Sequence, residues 1–377
     1  LTGATITALT MPKWGLAMRE GLVAAWHIEE GAPVEKGQDT LDIETEKITN
    51  VCESPASGVL RRRLVAAGET APVGALLAVV AGPSVSEAAL DAFIEAFHQQ
   101  FRQDFAAAQG GSPAPQSIEA GGRRLRYLAM GTAGAAPLLL IHGFGGDLNN
   151  WLFNQPALAE SRQVYALDLP GHGGSTKSLE STSLPGLAAA VREFLDSADL
   201  PAVHLAGHSL GGAVALCLAR DAPRRVRSLT LIASAALGPE INIDYLRGFV
   251  AARRRKDLKA VVELLFAQPA LVRREMLDDI LKFKRIDGVP QLLTRIIDDL
   301  FPGGRQGLVL RDVLARMEMP CQVIWGAEDR ILPPRHAAGF PASLPSHVLQ
   351  DAGHMVHMEK AAEVNALIEA LIGSVEP

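Results

Sequence analysis

Two unlike folded units are predicted for this chain: a small all-β sandwich or barrel, and behind it a larger doubly wound α/β domain. Three observations predict them. Up to about residue 80, short strand-like runs are separated by glycines at regular intervals. From about residue 118, apolar runs of buried-strand type alternate with helical segments. The length, 377 residues, suits two domains, one of them with a large core.

In order along the chain, Ile6-Thr7-Ala8-Leu9, Leu22-Val23-Ala24-Ala25-Trp26-His27-Ile28 and Gly58-Val59-Leu60 are strand-like, and Gly15, Gly21, Gly31, Gly37, Gly58, Gly68 and Gly74 punctuate them. Ser84-Val85-Ser86-Glu87 has the capping-box pattern that starts a helix. Leu90, Phe93, Ile94, Phe97, Phe101 and Phe105 then recur at helical spacing, and the helix should end before the linker Gly110-Gly111-Ser112-Pro113-Ala114-Pro115. Packing of this apolar stripe on the neighbouring domain is the plainer reading; a docking helix for another subunit, or a dimer contact, is the functional one. Leu138-Leu139-Leu140-Ile141, Val164-Tyr165-Ala166-Leu167, Val203-His204-Leu205-Ala206, Leu229-Thr230-Leu231-Ile232 and Gln322-Val323-Ile324-Trp325 read as parallel strands with helices between them. Residues from about 238 to 316 break that rhythm. They are helix-rich and read as a cap over the active edge of the sheet.

Composition narrows the function classes. Hydrophobic residues make up 48% and charged residues 21%, as in soluble globular proteins, and the net charge of -6 argues against a nucleic-acid partner. Cys52, Cys217 and Cys321 lie far apart with no paired spacing, so neither a disulfide framework nor a zinc site is expected, and a reduced, cytoplasmic setting fits. No signal peptide and no membrane-spanning run is expected. The chain starts at Leu1, so N-terminal processing or trimming is expected.

Lys47 falls in Glu44-Thr45-Glu46-Lys47-Ile48, between two strand-like runs, which would place it at an exposed hairpin tip. An exposed lysine is usually a solvated charge. Its context is more specific. Met11-Pro12-Lys13-Trp14-Gly15-Leu16-Ala17-Met18-Arg19-Glu20-Gly21 resembles the opening of lipoyl domains, Glu44 to Ile48 their modified hairpin, and Glu53-Ser54-Pro55-Ala56-Ser57-Gly58 the segment after it. Glu46 stands where these domains commonly carry Asp. Biotinyl domains share the fold, but their lysine usually sits between two methionines; here the neighbours are Glu46 and Ile48. The resemblance implies a flattened β barrel of lipoyl/biotinyl type with lipoate attached at Lys47. Attachment turns the ammonium into an amide and adds a long dithiolane arm.

Gly207-His208-Ser209-Leu210-Gly211 follows one of the apolar strands and precedes the helical run Gly212-Ala213-Val214-Ala215-Leu216. This strand–turn–helix context is that of a nucleophile elbow and resembles the α/β-hydrolase fold. A serine hydroxyl needs a base to take its proton. In that family an acid and then a base follow the serine along the chain, which implies Asp329 in Gly326-Ala327-Glu328-Asp329 and His354 in Asp351-Ala352-Gly353-His354. Glu328 reads as a surface charge, and His357, the rival base, as a packing residue. His204 and His208 read as structural. His142-Gly143-Phe144-Gly145-Gly146 would supply the Phe144 amide to an oxyanion hole, with the Leu210 amide as second donor; losing one such donor costs roughly 2.7–4 kcal/mol. Asp168-Leu169-Pro170-Gly171-His172-Gly173-Gly174-Ser175 reads as a structural turn near the pocket, with His172 not catalytic.

The expected boundaries are 4–82 for the lipoyl domain, 83–117 for the amphipathic helix and linker, and 118–377 for the α/β-hydrolase domain, its cap at about 238–316. The pairing resembles the dihydrolipoamide acetyltransferase component of acetoin dehydrogenase complexes. Acyltransferases of the pyruvate and oxoglutarate complexes instead use a His-x-x-x-Asp-Gly motif; the one Asp-Gly pair here is Asp287-Gly288, with Phe283 at the histidine position. No separate subunit-binding domain is evident between Gly82 and Pro115. The resemblance implies acetyl transfer to coenzyme A, a thiamine-dependent acetoin-cleaving component and a flavin-dependent dihydrolipoamide dehydrogenase as partners, and a homo-oligomer. Arg253-Arg254-Arg255-Lys256 is a candidate for coenzyme A phosphates, with a solvated helix face the plainer reading. Two other classes stay open: an esterase or thioesterase with a carrier domain, and a lipoyl carrier with a catalytically weak scaffold domain.

Overall fold

Alternating buried and exposed side chains build the first unit as two antiparallel sheets. The computed structural model describes residues 6–12, 18, 20–44, 49–109 and 113–376, and the chain divides into compact units at residues 1–112 and 113–377. In the first unit the strands are β1 (Ile6–Thr10), β2 (Glu20–Trp26), β3 (Pro33–Val34), β4 (Asp39–Glu44), β5 (Thr49–Glu53), β6 (Gly58–Arg63), β7 (Thr70–Pro72) and β8 (Leu76–Ala81). One sheet runs β1-β8-β6-β3, the other β5-β4-β2-β7. Leu9, Val23, Leu41, Ile43, Leu60 and Val80 form the core of this unit.

Strand β8 is buried along its whole length, because it is covered on both sides. Leu77 and Val80 join the core, whereas Leu76, Val79 and Ala81 pack against a helix, α1 (Glu87–Gln109), through Leu90 and Ile94. Phe93 and Phe97 flank this contact half-buried, so the apolar stripe covers the face of the adjoining sheet. The Phe105 side chain lies outside the described residues. The helix starts later than the capping-box reading expects: Ser86, not Ser84, accepts the Ala89 amide at 3.3 Å. Arg61, which donates to the carbonyls of Gly82 and Val85, pins the preceding turn and leaves Ser86 as the first residue free to cap.

In the second unit the strands are β9 (Gln116–Ala120), β10 (Arg123–Met130), β11 (Leu138–Ile141), β12 (Val164–Leu167), β13 (Val203–His208), β14 (Val226–Ile232), β15 (Cys321–Gly326) and β16 (Ser346–Leu349), in the order β16-β15-β14-β13-β11-β12-β10-β9. The helices are α2 (Gln155–Leu158), α3 (Leu184–Ser197), α4 (Leu210–Asp221), α5 (Ile243–Ala251), α6 (Arg255–Val262), α7 (Arg274–Lys284), α8 (Val289–Leu300), α9 (Arg311–Leu314), α10 (Val356–Glu359) and α11 (Ala361–Gly373). Strands from β11 to β16 pair in parallel, while β10 pairs antiparallel with both β12 and β9. The apolar runs are continuous because both faces are covered. Leu139 and Ile141 enter the cluster with α3 and α4, whereas Leu138 and Leu140 enter the one with α11. The β9–β10 hairpin extends this sheet beyond the strands that stand out in the sequence, since β9 is mostly polar and exposed and β10 opens on arginines.

Helices α5 to α9 occupy the stretch read as a cap. Gln306 staples its two stems: its carboxamide oxygen accepts from the Ala236 amide at 2.6 Å, and its nitrogen donates to the Glu240 carbonyl at 3.0 Å. Among the described residues no helix is long and apolar enough to cross a membrane.

Candidate active site

Parallel strands deliver four loops to one edge of the sheet, the carboxyl end, where α/β folds hold their ligands. Ser209 follows β13, the 142–146 loop follows β11, Asp329 follows β15 and His354 follows β16. Ser209 has φ 53° and ψ −116°, a left-handed conformation that is costly for a side-chain-bearing residue. Four backbone bonds hold it there. Its N–H donates to the Ile232 carbonyl at 2.9 Å, and its carbonyl accepts from the amides of Gly212, Ala213 and Ala235 at 3.1, 3.2 and 3.0 Å. The flanking glycines are a steric requirement: a Cβ on Gly207 or Gly211 would strike the backbone of Gly211 or of Ile141 and His142. The turn leaves the Ser209 side chain half-buried at the N-terminus of α4, where the helix dipole favours developing negative charge.

Asp329 and His354 meet. The His354 Nδ1–H donates to Asp329 Oδ2 at 2.8 Å, and Asp329 Oδ1 accepts the amides of Ile331 and Leu332 at 2.8 and 3.0 Å. Both residues are buried. With the proton held on Nδ1, the other nitrogen, Nε2, is the basic one. His354 is tied to the elbow by its own carbonyl, which accepts from His208 Nε2 at 2.9 Å. Their rings lie 4.7 Å apart.

The glycine-rich loop lies against the serine. A Cβ on Gly143 would come within 3.0 Å of Ser209 Cβ, so only a bare backbone passes there. His142 fixes this loop: Nδ1–H donates to the Gly143 carbonyl at 2.8 Å, and Nε2 accepts the Leu169 amide at 3.0 Å. Burial lowers its pKa and keeps the ring neutral, as that bonding pattern requires. Phe144 packs edge-on against Phe249 of α5, centroids 5.9 Å apart. Leu210 opens α4 and is buried. With Ala213, Ala235, Leu300, Phe301 and Leu308 it walls a cavity of about 230 Å³.

The remaining histidines fall outside this arrangement. His357 is buried between the rings of Trp151 and His208, at 4.7 and 4.4 Å, and burial pushes its pKa down to about 3. His172 sits in the turn beside Phe144, and burial lowers it likewise to about 3. His204, within β13, binds Ser228 and Glu376 at 2.8 and 3.1 Å. His208 is held neutral, well below the usual histidine range, by burial and by the rings of His357 and His354. Glu328 is exposed. Of the cap cations, Arg254 pairs with Asp257 at 2.8 Å and Arg255 with Asp278 at 2.6 Å, while Arg253 and Lys256 are exposed.

Sequence reasoning missed the residues that bind the cap. Arg330 donates to the carbonyls of Glu263 and Phe266, and Glu359 accepts the amides of Ala267 and Gly353. Their partners are backbone groups far away in the chain, so no spacing announces them. Among the described residues no group of three or more His, Cys, Asp or Glu is placed to hold a metal ion.

Lys47 lies outside the described residues. The strands on either side of it are paired antiparallel up to Glu44 and Thr49, so residues 45–48 join two adjacent strand ends.

Comparison with known proteins agrees with this division. The family model of the alpha/beta hydrolase fold matches residues 136–361, and the biotin–lipoyl model, described as that of biotin-requiring enzymes, matches residues 7–80. A Pseudomonas putida protein named dihydrolipoyllysine-residue acetyltransferase component of acetoin cleaving system is 51% identical over 367 residues, covering 97% of this chain and 98% of that protein. A Cupriavidus necator protein of the same name is 46% identical over 369 residues, covering 98% of each. Among solved structures, a bacterial membrane phospholipase A is similar with a TM-score of 0.62 and 27% identity, covering 76% of this chain and 96% of that one. The chain belongs to the α/β-hydrolase-fold family and, within it, to the lipoyl-bearing acetyltransferase components of acetoin cleaving systems.

Proposed function

We propose that this protein is a dihydrolipoyllysine-residue acetyltransferase that moves an acetyl group from its own lipoyl arm to coenzyme A through Ser209, His354 and Asp329. The observation that carries this reading is the Asp329–His354 pair, tied by His208 to the Ser209 elbow, in a chain whose sequence also holds the Glu44-Thr45-Glu46-Lys47-Ile48 motif. The names of the Pseudomonas and Cupriavidus relatives support it. We assign residues 4–82 to the lipoyl domain and 118–377 to the hydrolase-fold domain, joined by the helix and linker of 83–117. Lipoate, held as an amide on Lys47, supplies the thiol that carries acetyl as a thioester.

Ser209 Oγ attacks the thioester carbonyl as His354 Nε2 takes its proton. The Oγ–C bond forms, the C–S bond breaks, and His354 returns the proton to the departing sulfur. Asp329 holds the imidazole in the required tautomer and stabilises its charged form. The amides of Phe144 and Leu210 bind the oxyanion, assisted by the α4 dipole. In the second half His354 deprotonates the coenzyme A thiol, the new S–C bond forms, and the proton goes back to Ser209 Oγ as its bond to carbon breaks.

The chemistry requires two further activities. One must cleave acetoin and load the arm reductively, the work of a thiamine-dependent component. Another must reoxidise the emptied dithiol, the work of a flavin-dependent dihydrolipoamide dehydrogenase. We assign the protein to a homo-oligomeric assembly in the cytoplasm, in keeping with three buried free thiols, Cys52, Cys217 and Cys321.

The test is an assay with S-acetyl-dihydrolipoamide, with and without coenzyme A. The expected outcome is acetyl-CoA formation that falls at least about 10³-fold in Ser209→Ala. Free acetate regardless of coenzyme A would make the protein a thioesterase, and full transfer by Ser209→Ala would move the chemistry elsewhere. The intact mass of protein from its native host, set against Lys47→Ala, reads the attachment: a lipoyl increment on the parent alone is expected.

A further inference from the structure

A transferase that passes through an acyl-serine must keep water from the same carbonyl. The two outcomes use the same bond-breaking step. In transfer the coenzyme A sulfur bonds to the acetyl carbon; in hydrolysis a water oxygen does, and acetate leaves. In either case the Ser209 Oγ–C bond breaks and His354 carries the nucleophile's proton to Oγ. The difference between the two lies in what covers His354.

The cap segment of residues 263–268 packs against the loop that carries His354, and polar contacts fasten that segment from both sides. On the acid side, Arg330, the neighbour of Asp329, donates to the carbonyls of Glu263 and Phe266, both at 2.6 Å. On the base side, the Met355 amide donates to the Leu265 carbonyl at 3.0 Å. Between them, the Glu359 carboxylate bridges cap and loop: Oε1 accepts the Ala267 amide at 2.8 Å, and Oε2 accepts the Gly353 amide at 2.7 Å. The fit is close. A Cβ on Gly353 would lie 2.8 to 2.9 Å from Ala267 N, Leu265 O and Phe266 C. Phe266 itself is buried. A half-buried carboxylate costs desolvation energy, and it is retained here by charge-assisted bonds to backbone donors on two separate elements.

We propose that Glu359 is a positioning residue that holds the 263–268 segment of the cap down on the His354 loop, and that this clamp decides whether the acetyl-serine goes to coenzyme A or to water. The inference rests on the reading of Ser209 and His354 given above. Glu359 touches no reacting atom. It acts through Gly353, which fixes the backbone that presents His354, and through Ala267, which closes the cap above it. Glutamine keeps the size and one acceptor oxygen at this place, but it turns an N–H₂ group towards backbone N–H donors on one side, so that side of the clamp opens.

The experiment uses the full-length lipoylated protein and S-acetyl-dihydrolipoamide over a range of coenzyme A concentrations up to saturation, with acetyl-CoA and free acetate counted in the same reaction. The wild type should give mostly acetyl-CoA. Glu359→Gln should raise the ratio of acetate to acetyl-CoA at least about fivefold and raise the KM for coenzyme A, while its thermal transition stays cooperative. Should that variant fail to fold, Glu359→Asp, whose shorter carboxylate spans only one of the two amides, is measured in its place with the same expectation. A wild-type ratio in a folded variant overturns the clamp. A wild type that makes no acetyl-CoA overturns the acetyltransferase reading instead, and the two failures are thereby distinguished.

Discussion

Ser209 concentrates strain where chemistry is proposed: a non-glycine residue at φ 53°, held by four backbone bonds. Asp329 is bound as tightly, with one oxygen on two amides and the other on His354. Asp329→Asn should therefore keep its shape and lose its role. An asparagine oxygen would stay on the two amides, its N–H₂ would face Nδ1, and the proton would be driven to Nε2, the nitrogen that must accept from Ser209. By analogy with triad enzymes the acylation rate should fall about 10³- to 10⁴-fold, read as the burst with an activated acetate ester, with the unfolding transition little moved. The buried imidazoles of His172 and His357 carry a different prediction. Burial lowers both from 6.5 to about 3, so between those values the unfolded chain binds more protons than the folded one. Stability is then full above pH 6.5 and is lost as pH falls towards 3, by about 1.4 kcal/mol per pH unit for each ring. His357→Phe should remove one ring's share of that slope, measured from denaturant midpoints at pH 7 and pH 5.

Helix α1 shows what a stripe of apolar side chains does when its sheet lies next to it in sequence. Leu90 and Ile94 close the outer face of β8, and Leu90 is fully buried. Leu90→Ala should cost about 2–5 kcal/mol, seen as faster amide exchange along β8. Removing Glu87, whose exposed carboxylate pairs with Arg61 and Arg62, should change little, because water screens such pairs. The stripe was legible in the sequence because helical periodicity survives whatever the helix packs on. The elbow was legible because steric limits at Gly207 and Gly211 dictate residue type, and the meeting of Asp329 with His354 because both follow strands in a fixed order. The β9–β10 hairpin was not singled out, since Arg123, Arg124 and Arg126 keep the first half of β10 from reading as the continuous apolar run of a buried parallel strand. Nor was the start of α1, decided by Arg61 reaching over from another strand. Gln306, Arg330 and Glu359 were hidden for a common reason. Each binds backbone groups that every residue possesses, at separations of 64 to 92 residues for the cap contacts, and leaves no trace in spacing or composition.

The chain as a whole joins the unit whose sequence contains Lys47 to the unit that contains Ser209, and each position should fail in its own way when substituted. Lys47→Arg keeps the charge but offers no amine for amide formation with lipoate. It should still transfer acetyl from soluble S-acetyl-dihydrolipoamide to coenzyme A at close to the wild-type rate, while giving no acetyl-CoA from acetoin in the presence of the thiamine-dependent and flavin-dependent partners. Ser209→Ala should fail with both donors while still accepting acetyl on its arm, detectable as an intact-mass increment. Because the two defects lie on different units, they also test the proposed homo-oligomer. If subunits share an assembly and an arm reaches a neighbouring subunit's serine, co-expression of Lys47→Arg with Ser209→Ala should restore acetyl-CoA formation from acetoin to a readily measured fraction of wild type. Mixing the two proteins after separate assembly should restore less, since encounter between assemblies replaces a high effective concentration within one. Equal and negligible activity in both mixtures would confine each arm to the serine of its own chain.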